Sequence, residues 1–214
     1  MKRSIQLLTA VAMAFCLLGC ASPNSIVKTW KTPTPPTGPV QKVAVVGVDD
    51  RALVREGFEN RFVRTLRAQS QEAMTTYNLL SLAEINADKK AAKTRLGGAG
   101  ADAVLIIQLT DRLTNDREVG PRPAINAENL LTGATDMDGW EIYYSGAYIK
   151  MGTTWSRDAT TLYLNSGLHD LKTGRLLWSA VTKTVVKDNV DRLVLEDALV
   201  ALVVNAMRTD GMVR

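Results

Sequence analysis

The sequence predicts an α/β fold (α+β-like), with a mixed sheet of about five strands and three helices in the order β-α-β-α-β-(long excursion)-β-β-α. Three observations predict this class. Apolar runs of strand length alternate with segments of helical periodicity in the first half of the chain. Two later strand-like runs are joined by a glycine-containing turn, and a broad apolar helix follows them.

The first predicted strand is the β-branched run from residues 42 to 48, a composition typical of a buried strand. A helix is expected to follow over about residues 50–69, because apolar side chains recur there at helical spacing. These apolar positions are Val54, Phe58, Phe62 and Leu66. Arg55 and Glu59 are expected on the other, polar faces of this helix.

The next predicted elements are a short strand at residues 77–80, a helix over 83–96 and a strand over 103–109. Gly97, Gly98 and Gly100 follow this helix and precede the strand. A phosphate-binding loop needs the reverse order, with glycines after a strand and before a helix. We therefore interpret the glycines as a helix end and a turn.

Residues 112–158 interrupt the pattern and are predicted to form a long excursion from the sheet. Five aromatic side chains are concentrated in it: Trp140, Tyr143, Tyr144, Tyr148 and Trp155. Aromatic side chains bury a large area at low entropic cost, so these residues are candidates for a partner contact. The alternative is that they fold back as a small satellite core.

The carboxyl-terminal part predicts a β-hairpin and a helix. Residues 160–168 and 175–186 have strand character, and the turn between them includes Asp170 and Gly174. A largely buried helix is expected over residues 190–207, with Asp188 or Asn189 as its cap.

The first 19 residues have the charged, apolar and small-residue regions of an export signal. Residues 17–20, Leu-Leu-Gly-Cys, resemble the lipobox of bacterial lipoproteins, in which the cysteine thiol accepts diacylglycerol before the signal is removed. The resemblance implies cleavage between Gly19 and Cys20, and a mature lipoprotein anchored to membrane lipid through an acylated (palmitate-bearing) Cys20. The absence of Asp after Cys20 resembles lipoproteins of the outer membrane, with the domain facing the periplasm.

The sequence therefore divides into a signal peptide at 1–19, the lipidated cysteine with a proline-rich tether at 20–40, and one globular periplasmic domain at 41–214. At about 3.1 Å per residue, an extended proline-rich tether of this length reaches roughly 60 Å.

Composition excludes several classes of function. Loss of Lys2 and Arg3 with the signal lowers the formal charge from +4 to +2, so no electrostatic case exists for nucleic acid. Cys16 leaves with the signal and Cys20 carries lipid, which leaves no thiol for a disulfide, a metal site or a nucleophile.

Two further candidates for chemistry are weak. His169 is the single histidine, and a catalytic role would need Asp170 or Asp102 to orient it, but no nucleophile motif accompanies it. We interpret it as a structural residue beside the turn. The acidic segment 136–141 lacks the ligand spacing of a calcium loop and is interpreted as a solvated turn. We expect no catalytic residues, cofactor or metal.

Two local motifs add a family resemblance that covers about residues 41–208: residues 100–105 (Gly-Ala-Asp-Ala-Val-Leu) entering the third strand, and residues 168–178 across the hairpin, ending in Trp178. With the element order, they resemble envelope lipoproteins with a TolB N-terminal-like or anticodon-binding-like α/β domain. LpoB-type activators and the periplasmic domain of the CsgG channel belong to this group. The resemblance implies a binding or assembly role without a cofactor, with Trp178 packed on the sheet.

The leading hypothesis is an outer-membrane-anchored lipoprotein with a non-enzymatic domain that binds an envelope protein partner in cell-envelope assembly or maintenance. One alternative is a homo-oligomeric secretion or pore component of the CsgG-like type. A third hypothesis is an envelope hydrolase that uses His169.

Overall fold

A computed structural model describes residues 22–34, 38, 40–114, 117–118, 161–186 and 191–214. It confirms the α/β class with a mixed sheet, although the strands and helices are more numerous than expected. The strands are β1 (Asn24–Lys31), β2 (Lys42–Val48), β3 (Glu72–Thr75), β4 (Ala103–Thr114), β5 (Arg117–Glu118), β6 (Thr161–Asp170) and β7 (Leu176–Val185). The described helices are α1 (Ala52–Ala68), α2 (Leu82–Ala87), α3 (Lys89–Gly98) and α4 (Arg192–Thr209).

The strands form one sheet in the order β1-β7-β6-β4-β2-β3, and the two-residue strand β5 pairs with the end of β4. Strand β2 is parallel to both β3 and β4, whereas β4, β6, β7 and β1 pair antiparallel in succession. All side chains of β2 after Lys42 are buried, as expected for a β-branched strand covered on both faces.

Helices α1 and α4 cover one face of the sheet. Phe62 and Leu66 of α1 and Val203 and Met207 of α4 are buried there, in one cluster with the fully buried Trp178 of β7. The Trp178 indole donates a hydrogen bond to Asp210 at 2.8 Å. Trp178 therefore packs on the sheet, as the family resemblance implies.

Helices α2 and α3 lie on the opposite face. Their buried side chains Ile85 and Leu96 cluster with Val46 of β2 and Ile106 of β4. Among the described residues, this cluster has no member on β6, β7 or β1. Helices α2 and α3 therefore cover only the part of this face formed by β2 and β4.

The segment between α1 and β4 differs from the sequence prediction. The strand lies at Glu72–Thr75, and residues 77–79 form a turn. The single helix predicted over 83–96 is divided at Asp88, which has an extended backbone and accepts a hydrogen bond from the Ala91 amide as the cap of α3. Ser81 and Glu84 form a capping box at the start of α2. Side-chain capping therefore favours two short helices.

The last helix also begins later than expected. Asp191 caps α4 by accepting a hydrogen bond from the Leu193 amide at 2.8 Å, so neither Asp188 nor Asn189 is the cap. The hairpin of β6 and β7 is confirmed, with paired residues from Thr161↔Val185 to His169↔Leu176.

The predicted tether is wrong over residues 24–31, which form strand β1 at the edge of the sheet, antiparallel to β7. The side chain of Asn24 is buried, donates to the Leu195 carbonyl at 3.0 Å and accepts from the Thr184 hydroxyl at 2.6 Å. These hydrogen bonds fix the start of the strand on the folded domain. The prolines that favour a tether crowd residues 33–39, which follow the strand.

The predicted excursion begins later than residue 112, because β4 continues to Thr114 and β5 pairs with it. Residues 119–160 lie outside the described part of the chain.

Candidate functional site: the helix-free half of the sheet

The sequence-predicted partner contacts lie outside the described residues: Trp140, Tyr143, Tyr144, Tyr148 and Trp155. The cleavage and lipidation residues Gly19 and Cys20 also lie outside them, as does the acidic segment 136–141. Their roles therefore stay predictions.

His169 lies in β6, beside the hairpin turn, and only 1% of its surface is exposed. Burial lowers its pKa to about 4, although a hydrogen bond with the backbone of Gly174 acts in the opposite direction. The imidazole is therefore neutral at neutral pH. A buried, neutral imidazole fits the structural interpretation of this residue.

Asp102 and Asp170, the aspartates that a catalytic histidine would need, are both engaged elsewhere. The Asp102 carboxylate accepts hydrogen bonds from the backbone amides of Gln41 at 2.8 Å and Lys42 at 2.7 Å. Asp170 accepts hydrogen bonds from the amide and hydroxyl groups of Thr173 in the hairpin turn. Both carboxylates therefore shape the backbone.

The glycine-rich segment 97–100 lies between α3 and β4, and Gly100 adopts a φ of +86°, which favours glycine. The backbone carbonyl of Ala99 accepts a hydrogen bond from the Lys42 ammonium at 2.8 Å. The segment thus forms the helix end and turn that the sequence predicts.

Sequence reasoning missed a buried ion pair. Arg55 and Glu59, expected on the polar faces of α1, are 6% and 0% exposed, and their side chains are 2.7 Å apart. The Glu59 carboxylate also accepts hydrogen bonds from three backbone amides, those of Gly47, Thr76 and Tyr77. The i, i+4 spacing of the pair was visible in the sequence, but such spacing is also common on exposed helix surfaces.

This ion pair joins three elements where the parallel strands β2 and β3 end. Arg55 additionally donates to the Thr76 hydroxyl at 2.9 Å. Because every partner is supplied by the chain itself, the network satisfies backbone groups that follow the strands. It fits a structural role better than a ligand site.

A different surface carries side chains that none of the described helices covers. This surface is the face of β6, β7 and β1 that lies opposite α4. Polar and aromatic side chains predominate on it. We call this surface the helix-free face; its residues are Lys28, Trp30, Gln108, Tyr163, Asn165, Ser179, Val181 and Lys183. Trp30 and Tyr163 are half-buried there, whereas Lys28 is exposed.

The registers place these residues in two continuous rows. In one row, Ile106 of β4 lies opposite Gly167 of β6, which pairs with Ser179 and then Trp30. In the other, Gln108 lies opposite Asn165, which pairs with Val181 and then Lys28. Each row passes from the apolar layer under α2 and α3 to the edge strand β1.

Two amide oxygens on this face have unmet hydrogen-bonding capacity. The Oε1 of Gln108 and the Oδ1 of Asn165 are buried, and neither accepts a hydrogen bond within the described structure. Gln108 is 7% exposed. Both oxygens therefore lie within the chain's own packing, and a buried acceptor without a donor costs about 1–3 kcal/mol.

Other surfaces are weaker candidates. A recess near β3 is lined partly by Lys42 and Arg67, but the Lys42 ammonium bonds to Ala99 and the Arg67 guanidinium to the Ala73 carbonyl. Within the described residues, no cluster of three metal-ligating side chains occurs. No helix in that same part of the chain is long and apolar enough to cross a membrane.

Comparisons with known proteins do not identify a family. No family model matches the chain, and no curated relative is found. Similar solved structures include the PelC dodecamer from Paraburkholderia phytofirmans, with 13% identity over 83% of this chain and 92% of that chain and a TM-score of 0.44. Lipoprotein GNA1162 from Neisseria meningitidis has 16% identity over 78% of this chain and 96% of that one, with a TM-score of 0.42.

Proposed function

We propose that this protein is an outer-membrane-anchored lipoprotein whose periplasmic domain binds an envelope protein and performs no catalysis. Its role would be in the assembly or maintenance of the cell envelope. The lipobox-like residues 17–20 support the anchor. The observation that carries the binding role is the helix-free face, on which Lys28 is exposed and Trp30 is half-buried at the edge of the sheet.

The chemistry of this face defines the partner. Trp30 offers apolar area with a polar edge, a composition favoured at protein interfaces. Lys28 and Lys183 add two positive charges. A partner surface with an apolar centre and an acidic rim is complementary to this set.

The exposed edge of β1 is a poorer docking site. Its register shifts between Ile26 and Lys28, which indicates a bulge, and Lys28 and Lys31 lie on the same strand. Bulges and lysines protect edge strands against pairing with another chain. Binding through the face is therefore favoured over the addition of a strand.

The anchor is tested by Cys20→Ser. We expect the wild-type chain to incorporate labelled palmitate and to sediment with outer membranes, because several acyl chains hold a protein persistently. The variant is expected to incorporate none. Equal fractionation of the two proteins would contradict the anchor.

The binding face is tested by photo-crosslinking in living cells, with the crosslinking residue placed at Lys28 or at Val181. We expect both positions to capture the same envelope protein. Lys90, exposed on α3, is the control position and is expected not to capture it. Lys28→Glu with Lys183→Glu should weaken capture from Val181, whereas Lys90→Glu should not.

Two results would overturn this assignment. Capture of the partner from Lys90 alone would place the contact on another surface. Capture of a second copy of this chain from both Lys28 and Val181 would favour the oligomeric secretion component over a partner-binding domain.

A further inference from the structure

The amino-terminal side of β1 joins the sheet close to the predicted lipid. The Pro23 carbonyl accepts a hydrogen bond from the Val185 amide at 2.8 Å, and Asn24 is buried. An extended chain spans at most about 3.6 Å per residue, so Cys20 lies within about 14 Å of Asn24. Acyl chains on Cys20 would therefore hold the domain against the bilayer.

The topology identifies the end of the sheet that would face the lipid. Asn24 pairs with Thr184, so β1 begins where β7 ends. Thr161, the first residue of β6, pairs with Val185 at the same end. We call this the anchor end. Helix α4 follows β7, and α1 follows β2, which runs toward the same end but stops at Val48, in the row of Gln108, Asn165, Val181 and Lys28.

Exposed apolar side chains are concentrated at the anchor end. Within the described residues, four large apolar side chains are strongly exposed, and three of them lie in the first turns of α1 and α4. They are Leu53 at 83%, Leu193 at 54% and Val194 at 60%. The fourth, Val27, lies in the middle of β1.

The two helices run side by side in a fixed register. The Arg61 guanidinium donates a hydrogen bond to Asp197 at 2.7 Å, and the Gln69 amide donates one to Asn205 at 2.8 Å. In both pairs the partner lies 136 positions later in the sequence. In this register, Leu53 is level with a point about four residues before Leu193. Since the helix rises by about 1.5 Å per residue, Leu53 lies about one helical turn beyond Leu193 in the direction of the anchor end. The three side chains project from adjacent helix starts.

Charge does not account for attraction to a membrane at this end. Asp49 is paired with Arg51 at 2.7 Å, and Arg192 with Glu196 at 2.7 Å, while Asp50 and Asp191 add negative charge. Apolar insertion is therefore the interaction that the surface offers.

We infer that the anchor end rests on the bilayer and that Leu53, Leu193 and Val194 insert into its interfacial region. This inference rests on the proposed acylation of Cys20. It assigns the anchor end to lipid and leaves the helix-free face for the protein partner.

The experiment uses the lipidated protein in phosphatidylethanolamine vesicles that carry spin-labelled phosphatidylcholine. Acylated Cys20 is the only cysteine after residue 19, so a single introduced cysteine accepts an environment-sensitive fluorophore. Labels at Leu53→Cys, Leu193→Cys and Val194→Cys are expected to lose fluorescence by quenching. A label at Lys172→Cys, exposed in the hairpin turn at the opposite end, is expected to lose none.

A second variant tests the side chains themselves. Leu193→Asp with Val194→Asp, in protein labelled at position 53, is expected to reduce quenching, whereas Val27→Asp is expected to leave it unchanged. Protein that floats with the vesicles but shows no quenching at positions 53, 193 and 194 would overturn the inference. A blue shift at these positions without quenching by lipid would also overturn it, because the end would then cover a protein. Protein that does not float at all would refute the anchor itself, and this inference with it.

Discussion

The buried pair of Arg55 and Glu59 is stabilised unequally, because the two side chains have different partners. Glu59 accepts hydrogen bonds from three backbone amides as well as from Arg55. Arg55 bonds to Glu59 and to the Thr76 hydroxyl. Loss of the carboxylate therefore leaves a buried cation and three amides without their acceptor.

We predict that Glu59→Leu lowers the free energy of unfolding by about 3–5 kcal/mol, the range for breaking a buried ion pair. Arg55→Met should cost less, about 2 kcal/mol, because the carboxylate keeps its amide donors. Urea unfolding measures both values. Arg64→Met, at an exposed position of the same helix, is the control and should change stability by less than about 0.5 kcal/mol. Equal costs for the two buried substitutions would contradict this account.

His169 predicts a dependence of stability on pH. Its folded-state pKa, about 4, lies below the value of 6.5 for an unperturbed histidine. Between these values the unfolded chain binds a proton that the folded chain does not bind. Stability due to this group is therefore complete above about pH 6.5 and is lost as the pH falls toward 4, by up to about 3 kcal/mol. His169→Gln removes this titration.

The measurement is the free energy of unfolding of both proteins at several pH values, because carboxylates titrate in both and cancel in the difference. The wild type should lose more stability than the variant between pH 6.5 and 4. Parallel pH profiles would show that His169 titrates normally in the folded protein.

Strand β1 makes the segment after the predicted lipid part of the folded unit. A chain that begins at residue 40 would leave the β7 edge unpaired and the Thr184 hydroxyl and Leu195 carbonyl without Asn24. We predict that it is less stable than a chain beginning at residue 21 by at least about 2 kcal/mol, from hydrogen bonds at roughly 1 kcal/mol each. Thermal unfolding compares the two chains.

Asn24→Ala provides a matched test without a change in length, and it should cost about 1–3 kcal/mol. Amide hydrogen exchange adds a direct measurement, since backbone groups paired with β7 should be protected within residues 24–31. If residues 24–31 exchange at the rate of an unfolded peptide and truncation causes no loss of stability, this segment is a tether, as the sequence predicts, and not a strand of the sheet.

Elements with a strong internal pattern were predictable. The β-branched strand β2, the helix α1 and the hairpin of β6 and β7 each have a periodicity that determines their type. Strand β1 was missed and β3 was predicted at residues 77–80 instead of Glu72–Thr75, because neither strand alternates clearly and each depends on a neighbour that is distant in sequence. The division at Asp88 was missed because its side-chain cap competes with an otherwise helical pattern.

At the scale of the whole molecule, the sequence predicted the α/β class but not the helix-free face. Gln108 and Asn165 are separated by 57 positions and adjoin only through the pairing of β4 with β6. A single Gln or Asn in an apolar strand does not indicate which residue of another strand lies opposite it. The aromatic residues Trp140 to Trp155 were selected because they are close together in the sequence, and their role stays a prediction.

The direct entry of the chain into β1 has a mechanical consequence. Tension applied through Cys20 acts along β1, whose bonds to β7 extend from Asn24 to Lys31 across the direction of pull. These bonds are loaded together in shear, and not broken one after another as in unzipping. If Cys20 carries the proposed lipid, force on that anchor is transmitted to the sheet through β1.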